Sequence, residues 1–183
     1  MEKNIVLIGF MGTGKSTIGM KLAERLKMQF IDMDREIEKL TGMSIPVLFK
    51  KHGELRFRSE ERLMSQKLGA KRNLVIAAGG GVVLNRENVE ALKKNGIMIC
   101  LEADPEVILA RVSRKKGSRP LLKKNLETAD IEKMLLDRQE FYALAEYRVD
   151  TTGQEMDRII QGIIQLVKKH AAAGAASGKC IAD

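Results

Sequence analysis

Three runs of consecutive apolar residues punctuate the chain: Ile5–Ile8, Leu74–Ala78 and Ile97–Leu101. They do not alternate with polar positions. That is the pattern of strands covered on both faces in a parallel sheet, not of strands with one wet face. Phe30-Ile31 and Val149 centre two shorter strands. Between the runs the apolar period changes to three and four. Ile18, Leu22, Ala23 and Leu26 share one face of a helix over about Lys15 to Lys27. A short helix follows Asp34 and stops at Thr41-Gly42, where glycine can cap it. Ser44 is positioned to cap the next, with Pro46 in its first turn and Gly53 ending it. Glu54–Lys67 reads as a charged helix, and Asn85 opens another that ends around Asn95-Gly96. Asp104-Pro105-Glu106 is a helix start, with proline at the first helical position. Strands alternating with helices predict a parallel sheet with helices on both faces.

The period fails over 115–124, a basic stretch with a glycine and a proline, which reads as a loop between helices. One long helix is predicted from about Ala129 to Glu146, and a last one over roughly Glu155 to His170. The alanine- and glycine-rich segment beyond it is low in complexity, so 171–183 reads as a disordered tail on a single domain over 1–170.

Composition narrows the function classes. The chain has 183 residues, 44% hydrophobic and 31% charged, which suits one folded domain. No apolar run reaches the length of a membrane span, and Ile5–Ile8 leads straight into a glycine loop rather than a cleavage site. The two cysteines, Cys100 and Cys180, make no disulfide framework, and Cys100 sits in an apolar run as an inert core residue. A cytoplasmic protein is expected. The net charge of +8 invites a nucleic-acid reading, but there is no readout motif and only 4% aromatic residues for stacking. A solvated basic surface that steers anionic substrates is the better reading, without nucleic-acid or membrane partners. His52 and His170 show no ligand spacing for zinc.

The stretch Gly9-Phe10-Met11-Gly12-Thr13-Gly14-Lys15-Ser16-Thr17, between an apolar strand and a helix, fits G-x-x-x-x-G-K-[ST] in the context that makes it a P-loop. Its glycines let the backbone wrap an anion, and the N–H groups and the helix N-terminus attract phosphate. Lys15 reaches the β- and γ-phosphates, and the Ser16 hydroxyl is placed to hold Mg²⁺. The spacing does not fit the dinucleotide fingerprint.

Three further clusters address the acceptor. Asp32 and Asp34 end an apolar strand two residues apart, which puts both carboxylates near the end where parallel sheets bind ligands. Asp32 is assigned to the metal side and Asp34 to the acceptor hydroxyl, as proton acceptor. Asp34 also fits a helix N-cap, and the two roles can coexist. Gly79-Gly80-Gly81 follows a buried strand and permits close backbone approach to a ligand. Arg58, Arg119 and Arg138 offer planar forks for carboxylate or phosphate, though nothing in composition separates them from other basic residues. The residues themselves lead as far as a P-loop kinase with a small polar or anionic acceptor.

Taken together and in order, the P-loop, Asp32-Met33-Asp34, Phe57-Arg58-Ser59-Glu60-Glu61, Gly79-Gly80-Gly81, Arg119-Pro120-Leu121-Leu122 and Arg138-Gln139-Glu140-Phe141-Tyr142 resemble the shikimate kinase family. The resemblance runs from Asn4 to about Lys168. It implies a five-stranded parallel sheet in the order 2-3-1-4-5, similar to nucleoside monophosphate kinases, with an acceptor region over about 33–61 and a lid over about 112–126. It implies transfer of the γ-phosphoryl group of ATP to the 3-hydroxyl of shikimate, in aromatic amino-acid biosynthesis, with Mg²⁺; a monomer is expected. Carried over, Asp34 would bind the acceptor and take its proton, and Arg58 and Arg138 would grip the shikimate carboxylate. Gly79, Gly80 and Gly81 would contact the ring hydroxyls. Arg119 would swing in with the lid and, with Lys15, neutralise the transferring group. Gly12, Thr13, Gly14, Lys15, Ser16 and Thr17 would hold the phosphates, with Gln154 in a second nucleotide loop. Arg111 and Arg114 both qualify to stack on adenine, with Arg111 preferred. The loop Asp150–Gln154 lacks the proline common in the family. Gluconate or nucleoside monophosphate kinases and a non-catalytic shikimate or nucleotide sensor are the alternatives.

Overall fold

The computed structural model describes residues 3–114 and 126–177, with side chains described to Ala173. Five strands, β1 (Asn4–Ile8), β2 (Gln29–Asp32), β3 (Leu74–Ala77), β4 (Gly96–Glu102) and β5 (Tyr147–Asp150), form one sheet in the order β2-β3-β1-β4-β5. Every neighbouring pair is parallel. Around the sheet lie α1 (Lys15–Leu26), α2 (Met33–Thr41), α3 (Ile45–Gly69), α4 (Arg86–Lys93), α5 (Pro105–Ser113), α6 (Thr128–Leu136), α7 (Gln139–Tyr142) and α8 (Met156–Ser177).

The central strand explains the unbroken apolar runs. Ile5 and Leu7 face a core shared with Ile18 and Leu22 of α1 and Ile160 and Ile163 of α8. Val6 and Ile8 face the opposite core, with Met33, Leu48, Phe57, Val89 and Ile131. All four are 0% exposed, and burying each side chain is worth roughly 1.5–3 kcal/mol. A polar residue at any of these four positions would lose that gain and add an unsatisfied group.

Three local expectations are corrected. First, the cap of α2 is Asp32, not Asp34: the Asp32 carboxylate accepts from the Asp34 and Arg35 amides at 3.2 and 3.4 Å. The helix begins one residue after the strand, so Asp34 already lies in its first turn. Ser44 and Asp104 stand at the expected N-cap positions of α3 and α5, but their side chains make no capping bond. Second, the single helix expected over about Ala129 to Glu146 is two. It breaks at Arg138 (φ −111°, ψ 2°), between α6 and α7. Then Glu146 leaves the helix to bond β4, its amide to the Met98 carbonyl at 3.0 Å and its carboxylate to the Met98 amide at 2.8 Å. Pairing with the sheet edge overrides the helical period. Third, α8 continues past His170 to Ser177. Alanine has the best helix propensity, and extending an existing helix carries no nucleation cost. At Gly53 (φ 75°, ψ 177°) α3 kinks, where the sequence places a helix end.

Candidate active site

The site lies along the C-terminal edge of the sheet. The P-loop leaves β1 and closes on itself through one carbonyl. The Phe10 oxygen accepts from the Thr13 amide at 3.4 Å, the Thr13 hydroxyl at 2.8 Å and the Lys15 ammonium at 2.9 Å. Lys15 Nζ also donates to the Gly9 carbonyl at 2.8 Å. Gly12 and Gly14 hold φ of 86° and 95°, conformations that side chains oppose, and Gly14 caps α1. The amides at the start of α1 and its positive end are thereby turned to one concavity.

Across it, the two oxygens of Asp32 divide their work. Oδ1 caps α2, and Oδ2 accepts from the Ser16 hydroxyl at 2.6 Å. A hydroxyl and a carboxylate oxygen in contact are hard donors suited to Mg²⁺ together with substrate phosphates, so these residues fit the ion that the sequence implies.

Asp34 projects from the first turn of α2 toward Gly79 and Glu61. A Cβ on Gly79 would stand 2.8 Å from Asp34 Oδ1 and 2.9 Å from Glu61 Oε1. On α3, Arg58 Nη1 donates to Glu61 Oε2 at 2.5 Å, while its Nε and Nη2 reach Glu54 at 3.1 and 2.8 Å. Burial works against the Arg58 charge, but the Glu61 and Glu54 carboxylates outweigh it and hold the guanidinium above its ordinary value. Glu61 is 1% exposed, and burial pushes its carboxyl up to about 7 against the pull of Arg58, with the nearby Asp34 charge adding to the rise. A Cβ on Gly81 would meet Arg58 Nη1 at 2.5 Å, so this glycine, too, is a close-approach position.

Arg138 stands at the break between α6 and α7. Its Nη1 donates to the Gly80 carbonyl at 3.3 Å, and its guanidinium lies 5.3 Å from the centroid of the Phe10 ring. Burial pushes the neighbouring Tyr142 phenol up to about 12, with Arg138 opposing. Burial likewise lifts the Cys100 thiol to about 12, consistent with an inert core residue.

One cleft of about 1030 Å³ gathers Gly12 to Thr17, Asp32, Asp34, Arg58, Gly80, Gly81, Arg111, Arg114, Arg138 and Gln154. Gly79 stands beside it, against Asp34 and Glu61. Arg119 and most of the expected lid fall outside the described residues. Three residues of the site carry no role in the sequence reading. Glu61 has a usable signal in its place three residues after Arg58, on the same helical face. Phe10 fills an unspecified position of the P-loop motif. Thr151 gives no signal, since its contacts lie 40 to 138 residues away.

The arrangement can bind a triphosphate at the P-loop, hold a divalent cation beside it, and present a carboxylate and two arginines to a second molecule. Known proteins resemble the chain in sequence and in fold. A family model described as shikimate kinase matches residues 11–168. A shikimate kinase of Pelotomaculum thermopropionicum is 52% identical over 168 residues, covering 92% of this chain and 97% of that protein. One from Desulforudis audaxviator is 49% identical, covering 91% and 87%. Among solved structures, a shikimate kinase from Acinetobacter baumannii in complex with shikimate superposes with a TM-score of 0.86 at 38% identity, covering 92% of this chain and 94% of that one.

Proposed function

The chain belongs to the shikimate kinase family, and we propose that it transfers the γ-phosphoryl group of ATP to the 3-hydroxyl of shikimate with the residues gathered in this cleft. The observation that carries the reading is the convergence of the P-loop with Asp34, Arg58 and Arg138, from distant elements, around a single space. An anionic, polyhydroxylated acceptor asks for that combination: cationic forks for its carboxylate, close backbone approach and a carboxylate for its hydroxyls.

In this reading Arg58 and Arg138 hold the shikimate carboxylate. Arg58 has donors to offer, because the three bonds it makes to Glu61 and Glu54 use three of its five N–H groups. Gly79, Gly80 and Gly81 let the ring lie against the backbone, and Asp34 orients the 3-hydroxyl. As that oxygen bonds to the γ-phosphorus, the bond from phosphorus to the bridging oxygen breaks, ADP leaves, and the hydroxyl proton passes to Asp34. Lys15, Gly12, Thr13, Gly14 and Thr17 steady the phosphate oxygens and the charge that spreads over them. Ser16 and Asp32 would hold Mg²⁺, which would supply neutralisation of phosphate charge. Arg111 and Gln154 border the base end. Arg119 lies outside the described residues, and its role beside Lys15 rests on the sequence resemblance alone.

We further propose a cytoplasmic monomer: each chain carries its own cleft, and among the described residues no helix is long and apolar enough to cross a membrane. The testing experiment follows ADP release from ATP and Mg²⁺ with shikimate, gluconate, nucleoside monophosphates or no acceptor. Turnover with shikimate alone is expected. Turnover with another acceptor would keep the P-loop chemistry and overturn the acceptor assignment, and nucleotide binding without any turnover would make the chain a sensor.

A further inference from the structure

Thr151 follows β5 and is 2% exposed. Four segments meet at it. Its amide donates to the Glu102 carbonyl, at the end of β4, at 2.9 Å. Its hydroxyl lies 2.9 Å from the same carbonyl and 3.3 Å from the Thr13 carbonyl of the P-loop. Arg111, on α5, donates through Nη1 to the Thr151 hydroxyl and through Nη2 to the Thr151 carbonyl, both at 3.3 Å. The same Nη1 donates to the Gly12 carbonyl at 3.1 Å. A hydroxyl has one hydrogen to give and lone pairs to receive. Here it gives to a main-chain carbonyl and receives from Arg111, so both capacities are used.

The geometry points to Thr151 as a positioning residue of the nucleotide site. Its hydroxyl and carbonyl fix the plane of the Arg111 guanidinium against the P-loop, so that the base end and the phosphate end of one nucleotide are held at a set spacing. Bonds made at the edge of a guanidinium lie in its plane and leave its flat faces for stacking on a base. The loop has supports besides the Thr151 hydroxyl. Thr152 Oγ1 accepts from the Asp104 amide, the Thr152 amide donates to Asp150, and Gln154 Nε2 donates to the Asp150 carbonyl, each at 2.9 Å. Loss of the Thr151 hydroxyl therefore acts on the orientation of Arg111 rather than on the loop's fold. The ligand concerned is a nucleoside di- or triphosphate. This inference rests on the nucleotide half of the proposed function and not on the acceptor.

The test compares Thr151→Val, which keeps the shape and removes the hydroxyl, with Thr151→Ser, which keeps the hydroxyl. Binding of ADP and of inorganic pyrophosphate is measured by calorimetry on the full chain, with steady-state kinetics alongside. For T151V the ADP Kd and the KM for ATP are expected to rise about tenfold, the worth of one well-placed hydrogen bond. The pyrophosphate Kd and the KM for shikimate are expected to stay within about twofold. T151S should behave as the unaltered protein in all four. Unchanged ADP binding in T151V, equal losses for ADP and pyrophosphate, or failure of serine to restore ADP binding would each overturn the assignment. Should T151V not fold, Arg111→Lys, which keeps the charge and loses the planar fork, must show the same selective loss of ADP or the assignment fails. The binding measurements need no turnover, so they remain decisive even if shikimate proves not to be the acceptor.

Discussion

In the half of the cleft proposed for phosphate, one uninterrupted run from Gly9 to Thr17 would supply the ligands, mostly as main-chain groups folded around the Phe10 carbonyl. The acceptor half draws Asp34 from α2, Arg58 and Glu61 from α3, Gly79–Gly81 from the loop after β3 and Arg138 from the break between α6 and α7. A site built of backbone is held by dihedral angles and by β1 beneath it. One built of side chains from distant elements is held by their contacts with one another. Changes in the acceptor half should therefore move acceptor parameters and leave nucleotide binding alone, although Arg138 over the Phe10 ring ties the halves together.

The largest effect is expected from Asp34→Asn. Loss of the proton acceptor should lower kcat about a thousandfold, while ADP binding by calorimetry stays within about twofold. Near-normal turnover would remove Asp34 from that role, and a parallel loss of ADP binding would dissolve the division between the halves. Next comes Gly79→Ala. Its new methyl would meet Asp34 Oδ1 at 2.8 Å and Glu61 Oε1 at 2.9 Å. Displacing both carboxylates should cost roughly a hundredfold in kcat/KM for shikimate, with the KM for ATP unchanged.

Glu61→Gln should raise the KM for shikimate about tenfold by loosening Arg58. It carries a second signature. The native carboxyl is raised from 4.5 to about 7, so across that window the folded chain holds a proton that the unfolded chain has lost. The stability contributed by neutral Glu61 is full below about pH 4.5 and is lost as the pH rises through about 7. Glutamine cannot ionise, so the melting temperature of E61Q relative to the unaltered protein should climb between pH 5 and 8. A constant difference would contradict the burial argument. The smallest effect has the opposite sign. Glu54 is half exposed and occupies two donors of Arg58. Glu54→Gln should lower the KM for shikimate about twofold, the modest worth of an exposed ion pair.

Much of the fold is legible in the order of the residues. The unbroken apolar runs demand strands buried on both faces, and the sheet order 2-3-1-4-5 implied by the family resemblance is the one observed. The P-loop can be read because its chemistry is contiguous. The acceptor residues can be named only through the resemblance, since nothing local distinguishes Arg58 or Arg138 from other arginines. The capping of α2 falls to Asp32 because a two-residue spacing leaves open where the helix starts. The break at Arg138 has no local signal, since no proline or glycine marks it and the Arg138 side chain's contacts, Gly80 and Phe10, lie far away in sequence.

The sequence by itself determined the strands and most of the helices, the strand-loop-helix context of the P-loop and the candidate donors, because these depend on neighbours within about one turn of helix or one strand. Tertiary structure alone decided that Glu61 is buried near Asp34, that Arg138 turns to Gly80 and Phe10, and that Thr151 joins β4, α5 and the P-loop. Those contacts are set by which elements pack together, and no residue carries that information in its own chemistry or in its near neighbours.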